Sequence, residues 1–493
     1  MTNTSPATPA PVGGTLTRSL GLIAIVGLGL GYMTPTVVFD TFGIVSEDTS
    51  GAVPAAYLVA LVVMTFTAIS YGKMAGVFRN AGSAYTYVRE SVHPNVGFMV
   101  GWTSLMDYLL LPMVNCLIIR LYLEQVFHQV PGWIWVVLYV AVTTTIIYVS
   151  MRSTSNVNML LLLFSIVIMA VFVVMVIAQL VQGEGAGTLA SGTPFLGHPD
   201  TGEGGSVQLL AILSGATVVC FSFIGFDAVT MYTEEAKTPR TMPRAILLTV
   251  LLGGAIFLVA AYFTQLRFPD NAPFGDYVDD PLPQIGVIVG GPVFQAVFVA
   301  AGFCATTASG LASHASVSRM MLVMGRNGVF PRRVFGYVNP RTHTPTWNIV
   351  IVGAVALFAM SFSLELIASL INFGALIAFT FVNLSVIAWF AVRERRRRTP
   401  REIFDYIVMP GIGVLLTLTL WLNLDRVALI GGGVWLAAGL LYLLWITRGF
   451  KRQPAGFDEN QPVTGVNKIP EEPLAGQAAS AETKDGAPER SDG

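Results

Sequence analysis

The sequence predicts an all-α integral membrane protein with twelve transmembrane helices. Three observations carry that prediction. Twelve stretches are apolar over about 20 residues, the length a helix needs to cross a bilayer. Only 12% of the 493 residues are charged against 54% hydrophobic, with a mean hydropathy of +0.66. Lysine and arginine fall almost wholly on alternate connections. A soluble domain carries about 25% charged residues. The composition therefore excludes a soluble enzyme, a nucleic-acid binder and a disordered chain. The formal net charge of −1 names no partner. Three cysteines, Cys116, Cys220 and Cys304, sit in apolar runs and read as small core residues rather than a disulfide framework.

The spans are expected at about 20–46, 53–72, 96–126, 132–150, 157–181, 207–232, 245–266, 291–313, 346–365, 367–391, 403–424 and 427–447. The first is too long for a signal-peptide core and reads as a retained span. With the N-terminus inside, 25 basic residues fall on the cytoplasmic side, and only Arg120, Arg267 and Arg426 fall outside. A missed or extra helix would invert that bias downstream. Twelve acidic residues fall at the outer ends or loops, among them Glu47, Asp48, Asp279, Asp280, Glu365 and Asp425. An outer face of that sign would concentrate cations near its mouth. Three aspartates are left inside apolar stretches: Asp40, Asp107 and Asp227.

Residues 1–15 are rich in Thr, Pro, Ala and Gly, and 453–493 in Pro, Gly, Ala and acids; both are expected to be disordered. Residues 16–452 read as one membrane domain, with both termini cytoplasmic in the plasma membrane. Arg395 to Arg398 read as an anchor on anionic lipid.

Two spans are interrupted. The first holds Gly27, Gly29 and Gly31 and then Met33-Thr34-Pro35; the sixth holds Phe223-Ile224-Gly225-Phe226-Asp227. Proline removes a backbone donor and bars helix from the residue before it. Glycine weakens a helix and admits close approach. The breaks lie about 190 residues apart, and two long connections, about 73–95 and 267–290, are similarly offset. A five-helix unit has odd length, so its second copy must be inverted. Paired broken helices at matching places in inverted halves mark the binding site of a secondary transporter.

The most specific motif is Phe221-Ser222-Phe223-Ile224-Gly225-Phe226-Asp227, followed by Glu234-Glu235-Ala236-Lys237-Thr238-Pro239-Arg240 and Pro243-Arg244. With Ala81-Gly82-Ser83-Ala84-Tyr85-Thr86-Tyr87, Gly97-Phe98-Met99-Val100-Gly101-Trp102, Ser318-Arg319 and Gly328-Val329-Phe330-Pro331, it resembles the amino acid–polyamine–organocation transporters over about residues 19–452. Within that superfamily, Val38-Phe39-Asp40-Thr41-Phe42-Gly43, Asp107-Tyr108-Leu109 and Ser309-Gly310-Leu311-Ala312-Ser313-His314 resemble the bacterial putrescine importers. The resemblance implies a LeuT-like fold, a five-plus-five inverted repeat with two C-terminal helices. It also implies proton-driven uptake of putrescine.

Asp227 replaces the glutamate of the family's sixth-helix motif, a carboxylate that serves substrate recognition or proton coupling in relatives. Physical chemistry points the same way. Burial at membrane depth disfavours a bare carboxylate, and a bound ammonium favours it. Such a residue can exchange a proton for a cationic substrate; the alternative is an acid bonded to the donors freed at the break. Tyr108 matches a site-lining tyrosine of relatives and offers an amine an aromatic face. A diamine carries two ammonium groups, so Asp107 and Asp227 are candidate partners for its two ends, unless Asp107 bonds a neighbouring helix. Asp40 either lines an outer vestibule or pairs with another span. Thr34 is a polar contact at the break. Pro35 lacks the N–H that amino acid permeases use there to cradle a substrate carboxylate, which favours an amine without one. Phe221 either caps the substrate or packs as core. Asn115 reads as helix glue and His314 as structural. No HExxH, GxSxG, Walker A lysine or CxxC is present, and no cofactor or metal is expected. The expected activity is import of putrescine or a close polyamine with protons. An amino acid permease or another amine importer stays open, as does a non-transporting amine sensor.

Overall fold

The computed structural model describes residues 20–78, 84–149, 154–197, 205–238, 240–326, 328–342 and 344–451. The terminal segments expected at 1–15 and 453–493, and Ala81-Gly82-Ser83 of the family-like motif, lie outside the described residues.

The chain begins in three short pieces, α1 (Leu22–Tyr32), α2 (Val37–Asp40) and α3 (Phe42–Asp48). There follow α4 (Val53–Val77), α5 (Ala84–Ser91), α6 (Pro94–Val126), α7 (Gly132–Val149), α8 (Thr154–Val181) and the short α9 (Thr193–Leu196). Next come α10 (Gly205–Phe223), a 3-10 helix Ala228–Glu235, α11 (Thr241–Arg267), α12 (Leu282–Arg326) and α13 (Arg332–Phe335). The series ends with α14 (Thr346–Ala356), α15 (Leu364–Val386), α16 (Pro400–Ile403), α17 (Met409–Leu422) and α18 (Arg426–Ile446). Among the described residues there is no β-strand.

Eleven helices are long and apolar enough to cross a membrane, and Thr346–Met360 is a shorter apolar helix where the ninth span is expected. Boundaries differ most at the eighth span. The sequence places its start at 291; the helix instead begins at Leu282, bends at Gly291 (φ 71°) ahead of Pro292 and runs on to Arg326. The glycine pair ahead of Pro292 reads as a helix start and hid the apolar turns before it. The 73–95 connection likewise contains a helix, α5, which packs on α6 and α15.

Burial sorts the spans. In the apolar window of Leu22–Asp40, and in that of Pro94–Val126, 78% of residues are buried; for each of the last two spans the share is 22%. The interrupted first helix and α6 therefore form the centre. The periphery turns out Leu160, Val174, Ile430, Leu441 and Trp445, all more than half exposed, as a lipid-facing surface requires.

The two broken helices are joined at one end: Lys237 N–H donates to Leu20 O at 3.0 Å, beside a parallel bridge between Leu20 and Ala236.

Candidate binding site between the broken helices

The first helix stops at Tyr32, and Thr34 adopts φ 50°. A β-branched residue rarely takes that conformation. Pro35 enforces a departure by barring α-helix at the residue before it. The break frees the Tyr32 carbonyl, and the Ser309 hydroxyl of α12 donates to it at 2.8 Å. On the other side, α10 ends at Phe223 and the chain turns through Gly225 at φ 116°. A Cβ at Gly225 would stand 2.3 Å from the Tyr32 ring. Glycine is needed there both for its φ and for the approach of the two breaks.

Asp227 follows directly and is 7% exposed. Its carboxylate accepts from the Tyr108 hydroxyl of α6 at 2.9 Å and from Gly225 N–H at 3.3 Å. Its main-chain carbonyl accepts from the Thr230 hydroxyl at 2.6 Å, anchoring the 3-10 helix. The acid thus takes up a donor freed at the break while also reaching across to α6.

Asp107 is 2% exposed and within electrostatic range of Asp227. Its Oδ1 has no hydrogen bond among the described residues. Gly374 of α15 packs against it: a Cβ there would lie 2.6 Å from Thr103 O and 3.3 Å from Asp107 Cβ. So Asp107 packs on a neighbouring helix and still leaves an oxygen unpaired. Three buried tyrosine hydroxyls surround the two acids, those of Tyr32, Tyr71 and Tyr87, each without a hydrogen bond of ordinary geometry.

Beside this cluster lies a cavity. Tyr32, Met33, Thr34 and Val37 line it from the first helix, and Leu111, Asn115 and Ile118 from α6. Phe221, Ile224 and Ser309 complete its wall. The structure therefore groups Asp227, Tyr108 and Asp107, and sets Met33, Thr34 and Phe221 on the adjoining cavity. Asp40 stands apart. It is fully buried and accepts from the Tyr122 hydroxyl at 2.5 Å, so it pairs with α6 rather than lining this cavity. His314 donates through Nε2 to the Ile349 carbonyl at 2.9 Å, a structural bond.

Sequence reasoning missed four residues. Asn115 donates to Leu111 O of its own helix at 2.8 Å and reaches across to the Ser309 hydroxyl of α12 at 3.5 Å, and it also lines the cavity. Ser309 sits in the Ser-Gly-Leu-Ala-Ser-His stretch, and Tyr32 is the last residue before a break; both positions were available as signals. Tyr71 lies in a plain apolar run and gave none. Among the described residues, no group of three or more His, Cys, Asp or Glu could hold a metal ion.

Acids also gather at one end of the bundle. Burial, and then the charges of Glu365, Glu47 and Asp425, push the Asp48 carboxyl up to about 6.

Comparison with known proteins bears on this geometry. The family model described as amino acid permease matches residues 24–450. The chain is 46% identical over 445 residues to the low-affinity putrescine importer PlaP of Escherichia coli (strain K12), covering 90% of this chain and 97% of that protein. It is 28% identical over 456 residues to the branched-chain amino acid permease BcaP of Lactococcus lactis subsp. cremoris (strain MG1363), covering 87% and 94%. It is 26% identical over 396 residues to cationic amino acid transporter 4 of Mus musculus, covering 76% and 60%. These relatives are permeases and transporters, not enzymes.

Proposed function

This chain belongs to the amino acid permease family, and we propose that it imports putrescine or a closely related diamine with protons across the plasma membrane. The observation that carries the proposal is the pair Asp107 and Asp227, two buried carboxylates within electrostatic range of each other and with no cationic side chain bonded to either among the described residues. Two buried negative charges need two positive partners or protons. A diamine supplies an ammonium at each end of an apolar chain. The similarity to a protein named a putrescine importer points to the same cargo.

In the cycle we propose, both termini are cytoplasmic and the acidic end faces outward. The amine enters the cavity below that face, between Phe221 and Thr34. One ammonium is held by the Asp227 carboxylate and the Tyr108 ring, the other by Asp107. Thr34 offers a hydroxyl, and Pro35 withholds the N–H that a substrate carboxylate would use. A charged Asp227 holds the ammonium while a proton taken from the outer solution by a buried acid crosses with the amine, and rocking of one half of a five-plus-five inverted repeat against the other opens the cytoplasmic side. The four-arginine run anchors the inner surface on anionic lipid.

Uptake of labelled putrescine into vesicles containing the purified protein tests this reading. An inward proton gradient should drive accumulation. Unlabelled cadaverine and spermidine should compete, and α-amino acids should not. Binding without accumulation would instead identify an amine sensor. Competition by an α-amino acid, with none by its decarboxylated amine, would identify an amino acid permease.

A further inference from the structure

One polar cluster takes no part in the site just described. It lies about 14 residues beyond Tyr108 on α6, roughly 20 Å along the helix, towards the acidic end. The Tyr122 hydroxyl donates to Asp40 Oδ1 at 2.5 Å, and Asp40 Oδ2 has no hydrogen bond. Asp280 closes the cluster from the connection ahead of α12. It is 2% exposed, and neither carboxylate oxygen makes a hydrogen bond of ordinary geometry. Gln125, one turn beyond Tyr122, fixes that connection by donating to Asp280 O at 2.9 Å. Burial, followed by the charge of Asp40, holds the Asp280 carboxyl well above the usual carboxylate range.

A second kind of group points into the same place. Thr306 of α12 is fully buried with its hydroxyl against that of Tyr122, and among the described residues it makes no other hydrogen bond. Gly302, one turn earlier, lets Tyr122 in: a Cβ there would stand 3.0 Å from its hydroxyl. The titratable groups facing the pair are Tyr122 from α6, Tyr57 from α4 and Asp279 from the connection. On the side of α8 and α12 the wall is aromatic, with Phe39 against Phe172 and Phe298 at 4.9 Å each. None of these groups is a cation.

We propose that Asp40 and Asp280 form a proton-binding pair, separate from the cavity, that holds a proton while the outer end is closed. Two dry carboxylates without a cation cannot both stay charged. One proton, taken from the outer solution onto a carboxylate oxygen as a new O–H bond, removes the repulsion. Drawing the 268–281 connection away from α2 lets water in, and the proton returns to solution. Protonation from outside thereby favours closure of the outer end, and because the proton leaves again to the same side, the pair sets how outer pH governs that closure without itself carrying a proton across.

This inference rests on the proton-driven import proposed above, and the test separates the two. Wild type and Asp280→Asn are reconstituted in vesicles, and two rates are measured: putrescine accumulation driven by a pH gradient, and putrescine exchange at equal pH. At saturating putrescine, Asp280→Asn should keep exchange within about twofold of wild type at pH 7 and lose the dependence of that rate on pH. An unchanged pH profile of saturated exchange in that variant would overturn the pair. Loss of exchange as well, in folded protein, would also overturn it, as a merely structural contact. Should Asp280→Asn fail to fold, Tyr122→Phe replaces it, and the pH profile of exchange should shift. If wild type ignores the pH gradient, the import reading fails instead. The pair is then judged by infrared spectroscopy at neutral pH: the protonated-carboxyl band should be weaker in an Asp40→Asn, Asp280→Asn double variant, and identical bands would refute it.

Discussion

Asp227 accepts from a side-chain hydroxyl and a main-chain N–H at once, so its removal acts on two levels. Asp227→Asn keeps the size of the side chain while deleting its charge and turning one of its two accepting oxygens into a donor. Loss of one partner of a buried charge pair costs about 2–5 kcal/mol, or roughly two to three orders of magnitude in rate. Putrescine uptake by the variant should fall to background with the protein still monodisperse, and undiminished uptake would refute the role. Asp107→Asn tests the second ammonium. It should weaken putrescine at least tenfold and leave a monoamine of equal chain length nearly unaffected, as read by competition against labelled substrate. Equal losses for both would assign Asp107 to packing against Gly374. At this scale the sequence was legible wherever a charge broke an apolar run: three aspartates stood out, and two of them meet. That Asp40 faces Tyr122 instead was not legible, because a helix position fixes depth and leaves open which neighbour is met. The unpaired tyrosines were hidden for a related reason, since an aromatic in an apolar run looks like core until its hydroxyl is seen to lack a partner.

Both helix breaks were visible as residues whose chemistry forbids continuous helix. What was not visible is how each break is held. At the first, Thr34 takes a left-handed conformation ahead of Pro35, and Ser309 caps the freed carbonyl from nearly 280 residues away. At the second, Gly225 carries φ 116° with the Tyr32 ring against it. Gly225→Ala should therefore be costly twice. A non-glycine residue in that region costs about 1–3 kcal/mol, and overpacking adds about the same again. The ring must give way, which separates the two breaks. Thermal unfolding of the detergent-solubilised variant should occur several degrees lower, with transport largely lost. A variant as stable and active as wild type would show that the breaks need no such contact. The kink at Gly291 was not legible in the same way: Pro292 marks a helix start, yet the preceding turns are helical too, because a glycine with φ 71° joins the two.

Across the whole molecule, the sorting of charge has a structural counterpart at the acidic end. Glu47, Asp48, Glu365 and Asp425 come from three separate parts of the chain and meet closely enough to raise the Asp48 carboxyl. The sequence allowed this gathering, because positive-inside bias assigns each connection to a side; it could not show that the acids converge. Such a face raises the local concentration of a dication before any specific contact is made. Its strength must depend on pH through Asp48, whose carboxyl is pushed up to about 6. The sign follows from the charge: above about pH 6 Asp48 is negative and attracts the amine, and below it the group is neutral and the attraction weakens. In equal-pH exchange, where no gradient drives the cycle, the KM for putrescine should rise about two- to threefold between pH 7 and pH 5, the range of a partly screened single charge. Asp48→Asn should show the higher KM at both pH values, and added salt should shrink the difference between the two proteins. With Asp48 among the acids gathered at one end of the bundle, the kcat of Asp48→Asn should match wild type at each pH; a change in kcat with KM constant would move the effect from the approach of the cation to the transport step itself.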